Sequence, residues 1–463
     1  MSDWVDAEEH VERAHEHYEA GRWDDAESEL RRALALNPYQ AEWHFNLGLT
    51  LEAAGRHEQA IDAFRACYEL RDEDAPAALA IGINLVRVGK PAEAITWLER
   101  AEKQDPSSAS AIVHRIDALT DLGEIEQAEL AFYMGQQIEP ENADLYSAMA
   151  DTLLAKRDFE RAIWCLREAA RLNADLPRIH ARLARAYAAT GRQERARQLY
   201  HRELRQEPGD IDTLLDLGDL LSDMNRLEEA GEKYRRVLEL EPDHPDAHFA
   251  LGELAVAQGK NAEACVQFDV VLRLEPDHPD ARTRLADLLL AGGKDDDARR
   301  ARELLLTELR RVRLETAGEV ESLSLLGQLM LDADLPREAA RVFRRLIELR
   351  PGDALSHHHL SVALLETGEL ETGADEAKAT LRLNPRFVPA MHNLALAYLR
   401  RGEWLRARYW ARQAQAIDPD DASLRRLRLM MATRSGASLV RFVCLRGARV
   451  LRRGWSLVGR PTR

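Results

Sequence analysis

The sequence predicts an all-α fold in which helix-turn-helix units repeat and stack side by side as a solenoid. The first observation is that a residue pattern repeats at a fixed interval. The stretch Ile211–His278 holds two consecutive copies of one pattern of apolar, small and proline positions, offset by 34 residues, so that Leu217 and Gly218 correspond to Leu251 and Gly252. The second observation is helical spacing within each copy. A fixed period of a few tens of residues is typical of stacked repeats.

Each copy contains the signals of two helices and a turn. Leucine and a small residue at positions 7 and 8, with an apolar residue at position 11, form one face of a first helix. Position 15, Gly259 in the second copy, is where the end of a helix favours a left-handed backbone. Alanine at position 20, an aromatic residue or leucine at 24 and an apolar residue at 27 form the facing stripe of a second helix. Proline at position 32 ends the unit, because proline cannot continue a helix interior.

The same pattern extends over most of the chain and predicts twelve units. They begin at residues 7, 41, 75, 109, 143, 177, 211, 245, 279, 320, 354 and 388. Residues 1–6 form a leader, residues 7–421 the array, residues 422–435 a capping helix with Leu424, Leu427 and Met431 on its apolar stripe, and residues 436–463 an Arg-rich amphipathic tail. The regularity favours one continuous solenoid over two domains.

The ninth unit is longer than the others, with 41 residues instead of 34. Seven extra residues are about two helical turns, which returns the apolar stripe to nearly the same face. We therefore expect an elongated second helix, roughly residues 294–315. The alternative is a long loop within residues 312–319.

Charge is divided unequally between the array and the C-terminal segment. The chain holds 64 basic and 80 acidic residues, but residues 422–463 contain eleven arginines and no acidic residue. The array, residues 1–421, therefore has 53 basic and 80 acidic residues, a net charge of −27. Such an acidic array repels phosphates, and we expect it not to bind nucleic acid.

The tail has its own pattern. On a helical wheel, a broad apolar face that includes a tryptophan opposes a face of arginines, which is typical of a helix at a membrane surface. The candidate residues are Arg441, Arg446, Arg449, Arg452, Arg453 and Trp455. Two alternatives stay open: the tail packs on the array or on a second copy, or it tethers the chain to nucleic acid.

Sequence signals for targeting are absent. The N-terminus lacks the basic and apolar regions of a secretory signal, and nowhere do eighteen apolar residues follow one another. Four scattered cysteines form no CxxC pair, which fits a reducing compartment. We expect a cytoplasmic protein, with the tail placing it on the inner face of the membrane.

No catalytic or metal-binding motif occurs, and we expect neither an enzyme nor a bound metal or cofactor. Nucleotide-binding glycine loops, HExxH, GxSxG and paired cysteines are missing. The run His357-His358-His359 cannot converge on one ion, because adjacent helical residues point about 100° apart. A solvated or groove-lining role is favoured for it. Cys165 and Cys265 are interpreted as small core residues.

The 34-residue pattern resembles the tetratricopeptide repeat, and residues 7–421 carry the resemblance. It implies a right-handed superhelical solenoid with a concave groove, lined by the first helices at positions 2, 5, 6, 9, 12 and 13, that binds partner proteins. The charged residues at those positions are Asp117, Asp121, Asp144, Asp151, Arg178, Arg182, Arg185, Asp212, Asp216, Asp219, Asp223, Asp246, Glu253, Asp280, Arg284 and Asp287. The groove is therefore expected to be mainly acidic. The alternative is that these charges only solubilise an exposed face.

Two groups of relatives differ from this chain at their binding residues. Chaperone-binding tetratricopeptide domains use a clamp of Lys, Asn and Arg for carboxylates, of which only Asn46 has a match here. The superhelix of O-linked N-acetylglucosamine transferase carries a ladder of asparagines at position 6, which here only Asn46 and Asn393 occupy. The resemblance therefore predicts the fold and the mode of binding better than the partner.

The sequence thus predicts a non-catalytic scaffold or adaptor that binds basic or extended segments of partner proteins. An anionic membrane surface is the expected partner of the tail. The alternatives are an accessory subunit of an envelope-biosynthesis or glycosyl-transfer complex, and a nucleic-acid tether through the Arg-rich tail.

Overall fold

The computed structural model describes residues 2–71, 73–312 and 320–419, together with Arg425 and Leu427. These residues form α-helices joined by short turns, and no strand occurs among them. The chain divides into two compact units, residues 1–240 and 241–463.

The helices of the first unit are α1 Ser2–Glu19, α2 Trp23–Leu36, α3 Ala41–Ala53, α4 His57–Leu70, α5 Ala75–Arg87, α6 Pro91–Gln104, α7 Ser110–Asp121, α8 Ile125–Ile138, α9 Ala143–Ala155, α10 Phe159–Leu172, α11 Ile179–Ala189, α12 Gln193–Gln206, α13 Ile211–Asp223 and α14 Leu227–Leu240. Those of the second unit are α15 Pro245–Ala257, α16 Asn261–Leu274, α17 Ala281–Gly292, α18 Asp295–Arg311, α19 Val320–Asp332, α20 Pro336–Leu349, α21 Ala354–Thr367, α22 Leu370–Leu383, α23 Val388–Arg400 and α24 Trp404–Ile417.

Consecutive helices pack as pairs, α1 with α2, α3 with α4 and so on, which gives twelve pairs in the described part of the chain. This confirms the predicted all-α class and the number of repeats. First helices of neighbouring pairs also contact one another, α5 with α7 and α7 with α9 in the first unit, and α21 with α23 in the second. We call the surface that these odd-numbered helices form in each unit the first-helix face.

Five of the described pairs close where a glycine of the first helix meets a large side chain of the second. Gly252 of α15 lies against the ring of Phe268 in α16, and a Cβ atom added at Gly252 would be 2.7 Å from that ring. Phe268 is completely buried. The same contact recurs in other pairs, between Gly48 and Phe64, Gly82 and Leu98, Gly218 and Tyr234, and Gly327 and Phe343. The small position therefore sets how closely the two helices approach.

The turn within each pair has a left-handed residue at the predicted position 15. Gly259 has φ 73° there, and glycine accepts this conformation without steric cost. Three pairs place another residue at the same position: Arg157 with φ 62°, Asn225 with φ 58° and Asp334 with φ 63°. The backbone geometry of the turn is thus conserved between pairs even where glycine is absent.

The start of the sixth pair departs from the regular pattern. Helix α11 begins at Ile179, two residues after the predicted start of the unit, because Arg178 is left-handed with φ 56°. The buried carboxylate of Glu203 on α12 accepts the backbone N–H groups of His180 and Ala181, at 3.1 and 3.2 Å. Glu203 therefore satisfies the free amides at the N-terminus of α11, in place of a cap from the preceding residue.

The ninth pair contains a lengthened second helix, but a shorter one than predicted. Helix α18 has 17 residues, whereas most other second helices have 14. It ends at Arg311, because Val312 adopts an extended conformation with φ −68° and ψ 109°. The extension is therefore about one turn, not the two that the extra residues suggested. Residues 313–319, the remainder of the insertion, lie outside the described residues.

The C-terminal predictions fall mostly outside the described residues. Leu427 is buried in the core cluster that also contains Ala407 and Ala411 of α24. Leu424 and Met431 of the predicted stripe are not described, and neither are the tail residues Arg441, Arg446, Arg449, Arg452, Arg453 and Trp455. The capping helix and the amphipathic tail therefore stay predictions. Within the described part of the chain, no helix is both long enough and apolar enough to cross a bilayer.

The close contact between Gly252 and Phe268 leads to a stability prediction. Gly252→Ala places a methyl group where no space exists, and overpacking of this kind costs about 1–3 kcal/mol. Gly352→Ala is the matched control, since a Cβ atom there meets nothing within 4 Å. Urea unfolding followed by circular dichroism should show a loss of stability for Gly252→Ala and little change for Gly352→Ala. Equal unfolding curves for the two variants would contradict the proposed role of the small position.

A candidate partner-binding face

All sixteen charged residues predicted from the sequence to line the groove lie on first helices or immediately before them. In the first unit, α7 carries Asp117 and Asp121, α9 carries Asp144 and Asp151, α11 carries Arg182 and Arg185 with Arg178 just before it, and α13 carries Asp212, Asp216, Asp219 and Asp223. In the second unit, α15 carries Asp246 and Glu253, and α17 carries Arg284 and Asp287 with Asp280 just before it. The structure therefore places each set on the first-helix face of its own unit.

Arginines of the sixth pair connect α11 to both neighbouring first helices. Arg178 forms ion pairs with Asp212 at 2.6 Å and Asp210 at 3.4 Å, toward α13. Arg185 pairs with Asp216 of α13 at 3.0 Å. These arginines were predicted as a basic exception in an acidic groove. The structure shows that they neutralise part of the acidic stripe on α13.

Arg182 makes the corresponding connection toward α9. It forms an ion pair with Asp151 at 2.5 Å, and it donates two hydrogen bonds of 2.7 Å to the hydroxyl and the backbone carbonyl of Ser147. Surrounding protein atoms desolvate the Asp151 carboxylate and hold its pKa above its ordinary value, an effect that Arg182 opposes and Asp117 increases. The ionised form of Asp151 thus depends on the arginine beside it.

The aspartates of α13 form one stripe, because their spacing of three and four residues places them on the same side of the helix. Besides the two arginine-paired members, Asp219 accepts a hydrogen bond of 2.7 Å from the hydroxyl of Tyr234. Burial and the neighbouring Asp219 raise the pKa of Tyr234, so the hydroxyl stays protonated and donates. Tyr200 donates similarly to Asp216 at 3.4 Å. The stripe is therefore held partly by side chains of second helices.

Three of the predicted carboxylates of the first unit have no ion pair within the described residues. They are Asp121 of α7, Asp144 of α9 and Asp223 of α13, and all three are exposed. Because they belong to one unit and to one face, they leave it a negative charge that its own arginines do not neutralise. The acidic groove stays a prediction, and these three carboxylates are its part without ion pairs in the first unit.

The second unit has fewer and more separate pairs. Arg284 of α17 reaches Glu253 of α15 at 3.1 Å. Asp246 lies 3.9 Å from Nε2 of His278, whose ring stacks on Phe249 with centroids 4.6 Å apart. Here too an arginine links consecutive first helices, so the same type of contact occurs in both units.

The histidine run on α21 is more buried than predicted. His357 bonds Glu376 at 2.6 Å and the carbonyl of Pro351 at 3.2 Å, whereas His358 lies in the core against Asn393 and Phe387. His359 contacts the ring of Phe343. Burial lowers the pKa of His359 to about 4 and that of His358 well below its ordinary value. Of the expected solvated or groove-lining roles, the solvated one is wrong for His358, because its ring is buried against Asn393 and Phe387.

The structure also shows how buried three of the cysteines are and how the possible metal ligands are grouped. Burial raises the pKa of the Cys67 thiol to about 11 and that of Cys165 to about 12. Cys165 is a core residue, as predicted, while Cys265 is half-buried. In the described part of the chain, no three His, Cys, Asp or Glu side chains come together in a way that could hold a metal ion.

Sequence reasoning missed the partners that hold the face together. Ser147 on α9 and the hydroxyls of Tyr200 and Tyr234 were not candidates, although each contacts one of the predicted residues. The repeat period could have indicated these contacts, because the contacting residues are separated by about one repeat. Arg178 and Asp212 are 34 residues apart and occupy the same position in adjacent repeats, and Arg182 and Ser147, 35 apart, differ by one position.

Comparison with protein families identifies the repeat. The tetratricopeptide repeat family model matches residues 11–76, 79–143, 147–211, 324–385 and 360–422, more than half of the chain. The chain belongs to the tetratricopeptide repeat family. A second model, the middle TPR-like domain of cilia and flagella-associated protein 70, matches residues 180–312. Tetratricopeptide repeats generally form non-catalytic scaffolds, and they support a role in binding protein partners.

Individual relatives are distant. The human protein O-mannosyl-transferase TMTC3 is 24% identical over 212 residues, which are 44% of this chain and 23% of that protein. The chain thus spans less than a quarter of the curated relative that it matches.

Several solved structures resemble this chain at low identity and with TM-scores below 0.5. Pseudomonas aeruginosa pilF is 20% identical with a TM-score of 0.41, over 47% of this chain and 99% of pilF. Human IFIT1 with PPP-AAAA is 19% identical with a TM-score of 0.45, over 73% of this chain and 81% of IFIT1. Yeast Tom70 is 15% identical with a TM-score of 0.38, over 96% of both chains.

The contact between Arg182 and Asp151 predicts a pH-dependent variant. Arg182→Gln removes the cation that lowers the pKa of Asp151, so this pKa should rise further. Below the ordinary carboxyl pKa, Asp151 is protonated in both proteins and the charge of Arg182 matters little. As the pH rises through the raised pKa, the ionised carboxylate lacks its partner, and the stability deficit of the variant should grow by about 1 kcal/mol or less.

Urea unfolding at about pH 4 and about pH 7 measures this difference, since these values bracket the titration of a moderately raised carboxyl. Arg235→Gln is the control, because Arg235 is an exposed arginine of α14 without an ion pair in the described structure. The loss of unfolding free energy in Arg235→Gln should not depend on pH. If the loss in Arg182→Gln is also the same at both pH values, the stability does not depend on the ion pair between Arg182 and Asp151.

Proposed function

We propose that the protein is a non-catalytic scaffold or adaptor whose first-helix face binds basic or extended segments of partner proteins. The tetratricopeptide family supports protein binding in general, and it suggests that this face is the concave one. The observation that carries the finer proposal is the set of exposed carboxylates of the first unit that no arginine neutralises, Asp121, Asp144 and Asp223. Complementary charge increases the rate and the specificity of association.

The paired residues are assigned a different role. Arg178, Arg182 and Arg185 connect α9, α11 and α13, and they fix the positions of the carboxylates around them. Exposed ion pairs contribute only about 0–1 kcal/mol each, so their main effect is on orientation and local charge. A basic segment would therefore be recognised by the unpaired carboxylates on either side of this arginine cluster.

The proposal predicts that three neutral substitutions weaken binding of a basic peptide. The triple variant Asp121→Asn, Asp144→Asn and Asp223→Asn should bind a fluorescein-labelled Lys- and Arg-rich peptide roughly threefold to tenfold more weakly by fluorescence anisotropy. The difference should shrink with added salt, because exposed charges are screened over about 8 Å at physiological ionic strength.

The matched control removes the same charge from second helices of the same unit. Glu126→Gln, Glu228→Gln and Glu232→Gln change exposed residues of α8 and α14. This variant should bind the peptide like the parent. If both triple variants lose the same affinity, the peptide responds only to net charge, and the first-helix face is not its site.

A second attachment point is proposed for the Arg-rich tail. Its support is the charge pattern of residues 422–463, eleven arginines without an acidic residue, beside an array of net charge −27. Each basic residue near an anionic bilayer contributes about 1 kcal/mol of attraction. We propose that residues 436–463 bring the protein to an anionic membrane surface. The nucleic-acid tether and the accessory subunit of an envelope-biosynthesis or glycosyl-transfer complex stay alternatives.

Vesicle sedimentation tests the tail. The full chain should sediment with vesicles that contain phosphatidylserine and not with pure phosphatidylcholine, and Arg449→Glu with Arg452→Glu should release it. Arg235→Glu with Arg236→Glu makes the same charge change on α14 and should leave sedimentation unchanged. Equal sedimentation with both vesicle types would discard the membrane proposal. Salt-sensitive binding to duplex DNA without vesicle binding would favour the nucleic-acid tether.

A further inference from the structure

A depression of about 410 Å³ lies on the first unit between α10, α11 and α12. Its floor contains Leu183 and Tyr187 of α11 and Leu199 of α12. Its rim is formed by four arginines, Arg167 from α10 and Arg195, Arg202 and Arg205 from α12, together with Gln198. We call it the arginine pocket.

The arginine pocket lies on the opposite side of α11 from the first-helix face. Successive helical residues are rotated by about 100°, so Leu183 and Tyr187 share one side of α11 while Arg182 and Arg185 share roughly the other. Arg182 and Arg185 point toward the carboxylates of α9 and α13. One helix therefore separates a mainly acidic face from a basic pocket.

The charges of the pocket are not neutralised by the protein itself. No carboxylate lines it, and the four rim arginines form no ion pair within the described residues. Other arginines close by are paired: Arg192 with Glu160 at 2.8 Å, and Arg197 with Glu194 at 2.9 Å. Four unpaired guanidinium groups around one depression are notable in a chain with 80 acidic and 64 basic residues.

Neighbouring groups respond to this positive potential. The guanidinium carbon of Arg195 lies 5.8 Å from the centre of the Tyr187 ring, within the range of a cation–π contact. Burial lowers the pKa of His180, and the charge of Arg202 lowers it further. Arg195 is thus placed over the Tyr187 ring, and its guanidinium N–H groups keep their capacity to bind an anion.

We propose that the arginine pocket binds an acidic segment of a partner protein that carries a hydrophobic residue between its carboxylates. The planar guanidinium fork matches a carboxylate with two parallel hydrogen bonds, so the rim can hold several Asp or Glu side chains. Leu199 is half-buried and gives the floor an apolar surface for an aliphatic side chain, whereas Leu183 is only 7% exposed. Tyr187 is only 7% exposed, so its ring offers little surface for stacking of a nucleic-acid base.

This site is separate from the first-helix face and selects the opposite charge. Its test uses a fluorescein-labelled peptide in which pairs of glutamates flank single leucines, measured by anisotropy with the full chain. Arg195→Gln with Arg202→Gln should weaken binding by about tenfold or more, because charge-assisted hydrogen bonds are lost. Arg167→Gln with Arg205→Gln removes the other two rim arginines and should also weaken binding, and it replaces the first variant if that variant unfolds.

The matched control is Arg235→Gln with Arg236→Gln, which lowers the charge equally on α14 and should bind like the parent. A peptide with glutamine in place of glutamate should not bind. Equal weakening in the pocket and control variants would overturn the proposal, as would tighter binding of a single-stranded DNA oligonucleotide than of the peptide. The Asp121, Asp144 and Asp223 triple variant should keep acidic-peptide binding, so the two proposed sites can fail independently.

Discussion

The structure depends on the close approach of two helices at a residue that has almost no side chain. Gly252 allows the ring of Phe268 to lie where a Cβ atom would be, and the same contact recurs in pair after pair. Burial of these rings, together with the leucines and alanines around them, provides the main stabilisation, at about 25 cal/mol per Å² of apolar surface. Gly48 and Gly82 make this contact 34 residues apart, so corresponding residues of these neighbouring pairs keep one register. The contacts between first helices within a unit follow from that register.

The register explains why charged residues meet at intervals close to the repeat length. Arg178 and Asp212 are 34 residues apart, and Arg182 and Ser147 are 35 apart, so each contact joins corresponding turns of neighbouring first helices. Such exposed pairs add little stability compared with the core. These pairs mainly change the local charge of the surface. They neutralise some carboxylates of the first-helix face and leave others without an ion pair, so the mainly acidic face carries its charge unevenly.

The fold could be predicted from the sequence because it depends on backbone period and residue size, which the sequence shows directly. The position of Gly259, the small residue at Gly252 and the all-α class are of this kind. The candidate site was predictable only as a set of positions. Whether Asp151 is paired and Asp144 is not depends on side chains of another repeat. The cap that Glu203 makes across to α11, and the end of α18 at Val312, likewise depend on tertiary contacts that local pattern does not contain.

The two sides of α11 show how the same residue type acquires two roles. Arg182 and Arg185 extend toward aspartates that the repeat register brings to them, and their charge is used within the protein. Arg195 and Arg202 project from α12 over an apolar floor where the register brings no carboxylate. The chain has more acidic than basic residues, so if charges paired without regard to position, every arginine would find a carboxylate and some carboxylates would remain unpaired. These arginines have no ion pair because no carboxylate lines the depression around which they lie. An anion from outside the unit is the partner that we propose for them.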